Sequence, residues 1–287
     1  MNKDLNGIKN HKYKSCIIGF QGVEGSFSHQ ALIEYFGEER DTLAFGKFQD
    51  VFEAIENNKI NYGVLPIENS STGGIAEVYD LLYKYGFYIV GEKCVKVDHN
   101  LIGIKGSSIH DLKEVYSHEQ GFLQCREYLD KHEKWTLIPY FNTARSAKLI
   151  HDENVKHKGC IASKKAAELY GLEILESHIH YNKNNITRFI IISKLKEVTR
   201  NCDKISVILS LPHKAGSLYK ALRHFEENNC NMLKIESRPI VGKSWEYLFY
   251  IDFHGNLNEK SIIKLINDIE QESLYFKLLG NYKGEVS

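Results

Sequence analysis

Four segments in the first half of the chain share a feature that could do chemistry. Each runs a short apolar stretch into Ser, Thr, Asn and Gly residues and then opens an amphipathic stretch. They are GSFS (25–28), ENSSTGG (68–74), SHEQ (117–120) and FNTARS (141–146). A helix that starts at such a turn leaves its first backbone N–H groups unpaired, with hydroxyl or amide side chains beside them. A site of that kind suits a carboxylate or a phosphate. The plainer reading is N-capping, for which Ser, Thr and Asn are the preferred residues whatever the function. Any one turn is accounted for by capping. The four together, one with paired Ser70-Ser71 and Gly73-Gly74, point to an anion-binding cleft with helix starts at Ser26, Ser70, Ser117 and Thr143.

Thr187-Arg188-Phe189 opens an apolar strand. Arginine beside a buried strand is costly unless paired. Two readings stand level: a structural ion pair, or a bidentate clamp on a carboxylate with the Thr187 hydroxyl next to it. His178 and His180 would share one strand face, but no third metal ligand is set by spacing, so an ordinary polar strand is expected. The glycine turns match neither a P-loop nor the dinucleotide fingerprint, and no G-x-S-x-G elbow is present.

The elements that must carry these residues alternate. Strands are expected at 16–20, 62–66, 87–97, 114–117, 135–140, 159–162 and 186–192. Helices are expected from the first glycine turn to about 36, at 48–57, after 74, and at 122–129, 143–151 and 164–170. This argues for α/β architecture with a largely parallel sheet, whose ligands gather at strand carboxyl ends. KLKEVTRNCDK, from 194, reads as a linker. Beyond it the order is strand 204–211, helix 216–228, strands 232–240 and 244–253, helix 258–272 and strand 274–281. That is βαββαβ, the pattern of a small ferredoxin-like domain.

Composition bounds the partners. The 287 residues carry 37 Lys plus Arg and 37 Asp plus Glu, a formal net charge of zero, with 43% hydrophobic residues. A globular protein of about two domains is expected, with no nucleic-acid or polybasic membrane partner. The polar N-terminus has no apolar run behind it, so no secretory signal is expected, and residues 1–14 read as a flexible tail. Six dispersed cysteines without a C-x-x-C pair fit reduced thiols in a cytoplasmic protein.

At these residues the chain resembles the prephenate dehydratase family. The resemblance rests on IGFQGVEGSFSHQA, GVLPIENSSTGGI, VYSHEQGFLQC, NTARSA and ITRFIIIS, then on PHKAGSLYKAL and KIESRP in the small domain. The last two are similar to an ACT domain, a βαββαβ amino-acid sensor. The resemblance implies a two-lobed catalytic region like a type II periplasmic binding protein, over 15–195. One lobe would hold about 15–92 and 178–195, the other about 93–177, with the site between lobes; the ACT regulatory domain would cover 203–281. A fused chorismate mutase domain would not fit in residues 1–14, so a monofunctional enzyme is expected.

The activity implied is decarboxylative dehydration of prephenate to phenylpyruvate, a carbon–oxygen lyase step in phenylalanine biosynthesis that needs no cofactor or metal. By resemblance Thr187 is the catalytic donor, and Asn69 and Gln124 are the active-site amides. Ser70, Ser117, Thr143, Arg188 and Phe189 are the substrate-binding candidates. Phenylalanine would act as an allosteric effector through Gly216, Ser217, Leu218, Glu236, Ser237 and Arg238, in a homodimer or homotetramer. The chain departs from the family pattern at Glu119, where proline is usual, at Ser217, where alanine is commoner, and at Leu233, where Ser or Thr usually precedes KIESRP. Arogenate dehydration, and a non-catalytic binder of small dicarboxylates with an ACT sensor, are the alternative functions. A neutral protein handling a dianion draws little on its overall field, so local donors must do the attracting.

Overall fold

The computed structural model describes residues 13, 15–240 and 242–285. Along the chain run β1 (Ile17–Gln21), α1 (Phe27–Phe36), β2 (Asp41–Phe45), α2 (Phe48–Glu56), β3 (Tyr62–Asn69), β4 (Gly73–Gly74), α3 (Ala76–Tyr85) and β5 (Tyr88–Lys96). Next come β6 (Asn100–Gly103), β7 (Glu114–Ser117), α4 (Glu119–Gln124), α5 (Arg126–Leu129), β8 (Thr136–Pro139), α6 (Thr143–Glu153), β9 (Lys158–Ala162), α7 (Lys164–Leu169) and β10 (Glu173–Glu176). The last set is β11 (Ile186–Ser193), β12 (Lys204–Ser210), α8 (Ser217–Glu227), β13 (Met232–Pro239), β14 (Tyr247–His254), α9 (Lys260–Glu272) and β15 (Tyr275–Tyr282). The chain divides into two compact units. The first takes the residues up to Lys47, Glu68–Gly73 and Cys94–Thr187; the second takes Phe48–Ile67, Gly74–Lys93 and everything from Arg188 onward.

In the first unit β1 and β2 pair in parallel. A separate five-stranded sheet has the order β10-β6-β9-β7-β8. Its β9-β7 and β7-β8 pairs are parallel, whereas β6 runs antiparallel to both β9 and β10. The sheet is therefore mixed, which corrects the expectation of a largely parallel one. The strand period of two sorts its core onto both faces. Leu101 and Ile161 join Val115, Cys125 and Leu129 on one side. Ile102, Cys160 and Ala162 join Ala147, Ile150, Ala166 and Ala167 under α6 and α7 on the other.

Four strands were not expected from the sequence: β2, the two-residue β4, β6 and β10. β2 (DTLAF) and β10 (EILE) have no fully buried residue, so their patterns carry no clean alternation. β6 (NLIG) is buried throughout and only four residues long, too short for any period to show. The helix expected over 122–129 is two short helices, α4 and α5, that meet at Cys125. Of the tail expected over 1–14, only Tyr13 lies within the described residues. Its ring is buried, edge-on to Phe36 at a centroid distance of 4.9 Å.

In the second unit the βαββαβ order appears as read, forming an antiparallel sheet of order β13-β14-β12-β15. Ile205, Val207, Leu209, Ile251 and Phe253 turn one face of it toward Ala221, Phe225, Ile262, Leu265 and Ile269 of α8 and α9. The other face lies against α3 and β5. Tyr250 Oη donates to the Tyr79 carbonyl at 2.6 Å. A Cβ built on Gly280 would lie 2.0 Å from the Ile89 carbonyl oxygen, so only glycine permits β15 to approach β5 this closely. β3, β11 and β5 neighbour one another in that order.

Candidate functional site

The site is built where β3 ends beside the start of β11. Asn69 is the last residue of β3. Its Oδ1 accepts the backbone N–H groups of Ser71 at 2.9 Å and Thr72 at 3.2 Å, a turn that Asn forms readily. With the oxygen so engaged, Nδ2 must face β11. It donates to Asn185 Oδ1 at 2.6 Å and to Thr187 Oγ1 at 2.9 Å. Thr187 thus accepts, and among the described residues its own hydroxyl hydrogen has no hydrogen-bond acceptor. The residue is buried, with 8% exposure.

Asn185 carries the network onward. Its Nδ2 donates to Gln124 Oε1 at 2.9 Å. Gln124 closes α4, and its backbone carbonyl accepts from Tyr181 N–H at 3.0 Å, which ties the returning segment to the helix end. The same Oε1 lies 2.8 Å from His99 Nε2. Burial lowers the His99 pKa to about 4 against the raising effect of the Gln124 contact, so the ring is neutral at ordinary pH. Among the described residues Gln124 Nε2 has no hydrogen-bond partner. Thr187, Asn69, Asn185, Gln124 and His99 therefore form one continuous chain of uncharged groups, with a hydroxyl hydrogen and an amide N–H2 left to donate. The resemblance had named Thr187, Asn69 and Gln124, and the structure brings these three together. Asn185 and His99 were not singled out, because each is a lone polar residue in a polar stretch and only the fold brings it in.

The binding candidates fare differently. Ser70 does not start a helix, since α3 begins at Ala76 after Ile75. Instead its Oγ accepts from Ile186 N–H at 2.9 Å and donates to the Asn184 carbonyl at 3.2 Å, extending the ladder between β3 and β11. Ser117 is wholly buried and donates to the Ile161 carbonyl at 3.2 Å. Gly121 lies directly over it; a Cβ there would come within 2.5 Å of Ser117 Oγ and 3.5 Å of the Thr143 methyl. His118, not Ser117, caps α4, through Nδ1 and the Gln120 N–H at 3.2 Å. Asn142, not Thr143, caps α6, through Oδ1 and the Arg145 N–H at 2.7 Å. Ser26 caps α1 by accepting from His29 N–H at 3.3 Å, while Gly25 N–H donates back to His29 Nδ1 at 3.1 Å. In three of the four turns a side chain caps the helix that follows, as the plainer reading expects; in the fourth, Asn69 Oδ1 closes a turn ahead of α3, which has no side-chain cap.

Arg188 is the clearest correction. It follows Thr187 in β11, so its side chain leaves the opposite face of the strand. Its guanidinium meets Glu92 at 3.1 Å and Asp252 at 2.7 Å, both protein carboxylates. Lys204 joins Glu92 at 2.8 Å, and Ser206 Oγ donates to Asp252 Oδ1 at 2.6 Å. Burial raises the Asp252 pKa, but Arg188 and Lys204 outweigh it and hold the carboxyl below its ordinary value. Arg188 is a member of a buried ion cluster, not a clamp on a ligand. Phe189, at 2% exposure, is core.

The expected effector residues do not converge on one point. β13 alternates, so Glu236 and Arg238 face one way and Ser237 the other. Arg238 makes a bidentate pair with Asp80 of α3, at 3.2 and 2.9 Å. Glu236 Oε2 would lie 3.0 Å from a Cβ on Gly74. Gly216 takes φ 81° at the start of α8, where a Cβ would be strained. Ser217 and Leu218 line a cavity of about 150 Å³ with Pro212, Trp245 and Tyr247.

His178 and His180 share Asp98, at 2.7 and 3.5 Å. Among the described residues no group of three or more His, Cys, Asp or Glu side chains could hold a metal ion. No described helix is long and apolar enough to cross a membrane.

Comparison with known proteins adds to this geometry. Residues 18–197 match the family described as prephenate dehydratase. The chain is 33% identical over 290 residues to the bifunctional chorismate mutase/prephenate dehydratase of Enterobacter agglomerans, covering 99% of this chain and 74% of that one. Among solved structures, a prephenate dehydratase from Arthrobacter aurescens in complex with L-Phe superposes with a TM-score of 0.85 at 25% identity, covering 93% of this chain and 90% of that one. GqqA, described as a novel type of quorum quenching acylase, also reaches 0.85, at 28% identity and 94% and 98% coverage. With the match spanning most of the region that holds the Thr187–Asn69–Gln124 network, the chain belongs to the prephenate dehydratase family.

Proposed function

We propose that this chain converts prephenate to phenylpyruvate, with Thr187 as the group that serves the departing hydroxyl. The observation that carries the reading is the direction of the Asn69–Thr187 hydrogen bond. In this reaction the bond from the ring to the carboxylate breaks and releases carbon dioxide. Its electron pair enters the ring, the carbon–hydroxyl bond breaks, and the leaving hydroxide takes one proton to become water. Aromatisation supplies the driving force. A threonine hydroxyl is a weak acid in water, so its worth lies in a preorganised hydrogen bond to the oxygen that gains charge.

Gln124 Nε2 offers a second donor for the substrate, and Asn69 and Asn185 bring no negative charge near its two carboxylates. Nucleophilic acyl transfer at Thr187 is disfavoured: a nucleophilic hydroxyl needs a base beside it, and this one accepts from an amide. The catalytic region is taken as 15–195 and the regulatory domain as 203–281. Phenylalanine is the proposed effector of the regulatory domain, entering by the cavity at Ser217 and Leu218, and the enzyme is taken to work as a cytoplasmic homodimer or homotetramer. The test is turnover of prephenate and of arogenate by the purified chain without added cofactor. Faster phenylpyruvate formation from prephenate supports the reading; faster conversion of arogenate replaces the substrate.

A further inference from the structure

A terminal amide has nearly the same shape either way round, so the chemistry of Gln124 depends on what fixes its orientation. Its Oε1 is the meeting point of two side chains: Asn185 Nδ2 at 2.9 Å and His99 Nε2 at 2.8 Å. The orientation of Asn185 is itself settled, because its oxygen takes a hydrogen from Asn69. An amide oxygen can only accept, so His99 Nε2 must carry the hydrogen that faces it.

That requirement has a cost elsewhere in the ring. His99 is 3% exposed. With one proton, and that proton on Nε2, its Nδ1 is a buried acceptor, and among the described residues it has no hydrogen-bond partner. A buried polar atom left unpaired is costly and rare. The neighbours do not relieve it. Phe27 meets the ring edge-on at 5.8 Å, and His180 lies 6.1 Å away, its own Nδ1 taken by the His99 backbone N–H. The backbone on both sides is pinned as well: Ile179 N–H donates to the His99 carbonyl at 3.0 Å. The ring is therefore held rigidly in a place where only one of its nitrogens is served, and the served one faces Gln124.

We propose that His99 is a positioning residue for the reaction: its Nε2–H, together with Asn185, holds the Gln124 oxygen so that Gln124 Nε2 is turned to donate to an oxygen of the substrate. This rests on the dehydratase reading of the site. His99 does not touch the substrate itself, and its effect passes through Gln124.

The test pairs a spectroscopic readout with a mutant cycle. Nitrogen-15 resonances of the imidazole in the intact protein at pH 7 should show His99 protonated on Nε2 and bare on Nδ1. The opposite tautomer overturns the proposal, whether or not the protein turns over prephenate. In the cycle, His99→Met should lower kcat/KM about 10-fold, the scale of one hydrogen bond. His99→Gln, which keeps a donor near the Nε2 position, should recover most of that loss. Added to Gln124→Ala, His99→Met should cost little more, because the group it positions is gone. Multiplicative losses in the double variant, with the same fall in melting temperature for His99→Met and His99→Gln, would make His99 a packing residue and overturn the proposal. Absence of turnover in the unmodified protein would instead count against the dehydratase reading, with the tautomer still deciding the role of His99.

Discussion

Asn69 Nδ2 donates to Thr187 Oγ1 at 2.9 Å, and the direction of that bond decides how the threonine can act. The direction is not free. Asn69 Oδ1 is held by the Ser71 and Thr72 N–H groups, so only the N–H2 end can reach β11. A hydroxyl that accepts from an amide keeps its hydrogen for another oxygen.

Reversing that bond should disable the site without unfolding it. In Asn69→Asp the carboxylate can still accept from Ser71 and Thr72, so the turn survives. It cannot donate, and the Thr187 hydrogen turns toward it instead. We expect kcat to fall about 10²-fold, within the usual worth of a positioned proton donor. Steady-state kinetics with a circular dichroism check on folding tests this; near-normal kcat would contradict it.

Arg188→Met should act on stability and not on substrate affinity. Breaking a buried pair leaves Asp252 and Glu92 without a full complement of positive charge, which costs about 3–5 kcal/mol. A urea midpoint measures that loss. A rise in KM at unchanged stability would restore the clamp reading.

Stability should fall with acid in a window set by His99. Its folded-state pKa of about 4 lies below the ordinary 6.5 because of burial. Between those values the unfolded chain binds a proton that the folded chain refuses. The contribution is complete above pH 6.5 and is lost as pH falls toward 4, on the order of 3 kcal/mol in all. Burial shifts His29 and His180 in the same direction and adds to the slope. Asp252 is held low by Arg188 and Lys204, so its share is lost only in stronger acid. Urea midpoints at pH 7, 5.5 and 4.5 should show the fall, and His99→Gln should flatten it.

Phenylalanine should raise the melting temperature and change turnover, with a coupling of ~1–3 kcal/mol. Filling the cavity with Ser217→Trp should abolish both effects. Arg238→Ala should instead lower stability through the lost Asp80 pair. If phenylalanine moves neither quantity, the βαββαβ domain serves assembly alone.

Part of the proposed site could be singled out from the chain because its residues sit in local patterns that resemble the family's, and their roles came from that resemblance. Thr187 opens a β-branched strand, and Asn69 sits where an apolar strand meets a Ser-Ser-Thr-Gly-Gly turn. The βαββαβ domain was legible for the same reason: its helices and strands are long and amphipathic. Arg188 could not be resolved that way, since its partners Glu92 and Asp252 are 96 and 64 residues distant. Asn185 and His99 escaped notice because a single amide in NKNN and a single histidine in VDHN carry no periodic signal. The capping role of His118 and Asn142 was misassigned to the adjacent Ser117 and Thr143, a shift of one residue that sequence spacing does not resolve.

The most direct measurement is single-substrate turnover of prephenate by the purified chain and its Thr187→Ala variant, with no cofactor added and phenylpyruvate as the readout. The account predicts turnover by the unmodified chain and a loss of ~10²–10⁴ in the variant, which stays folded. Equal turnover by both proteins, or no phenylpyruvate from the unmodified chain, would contradict it.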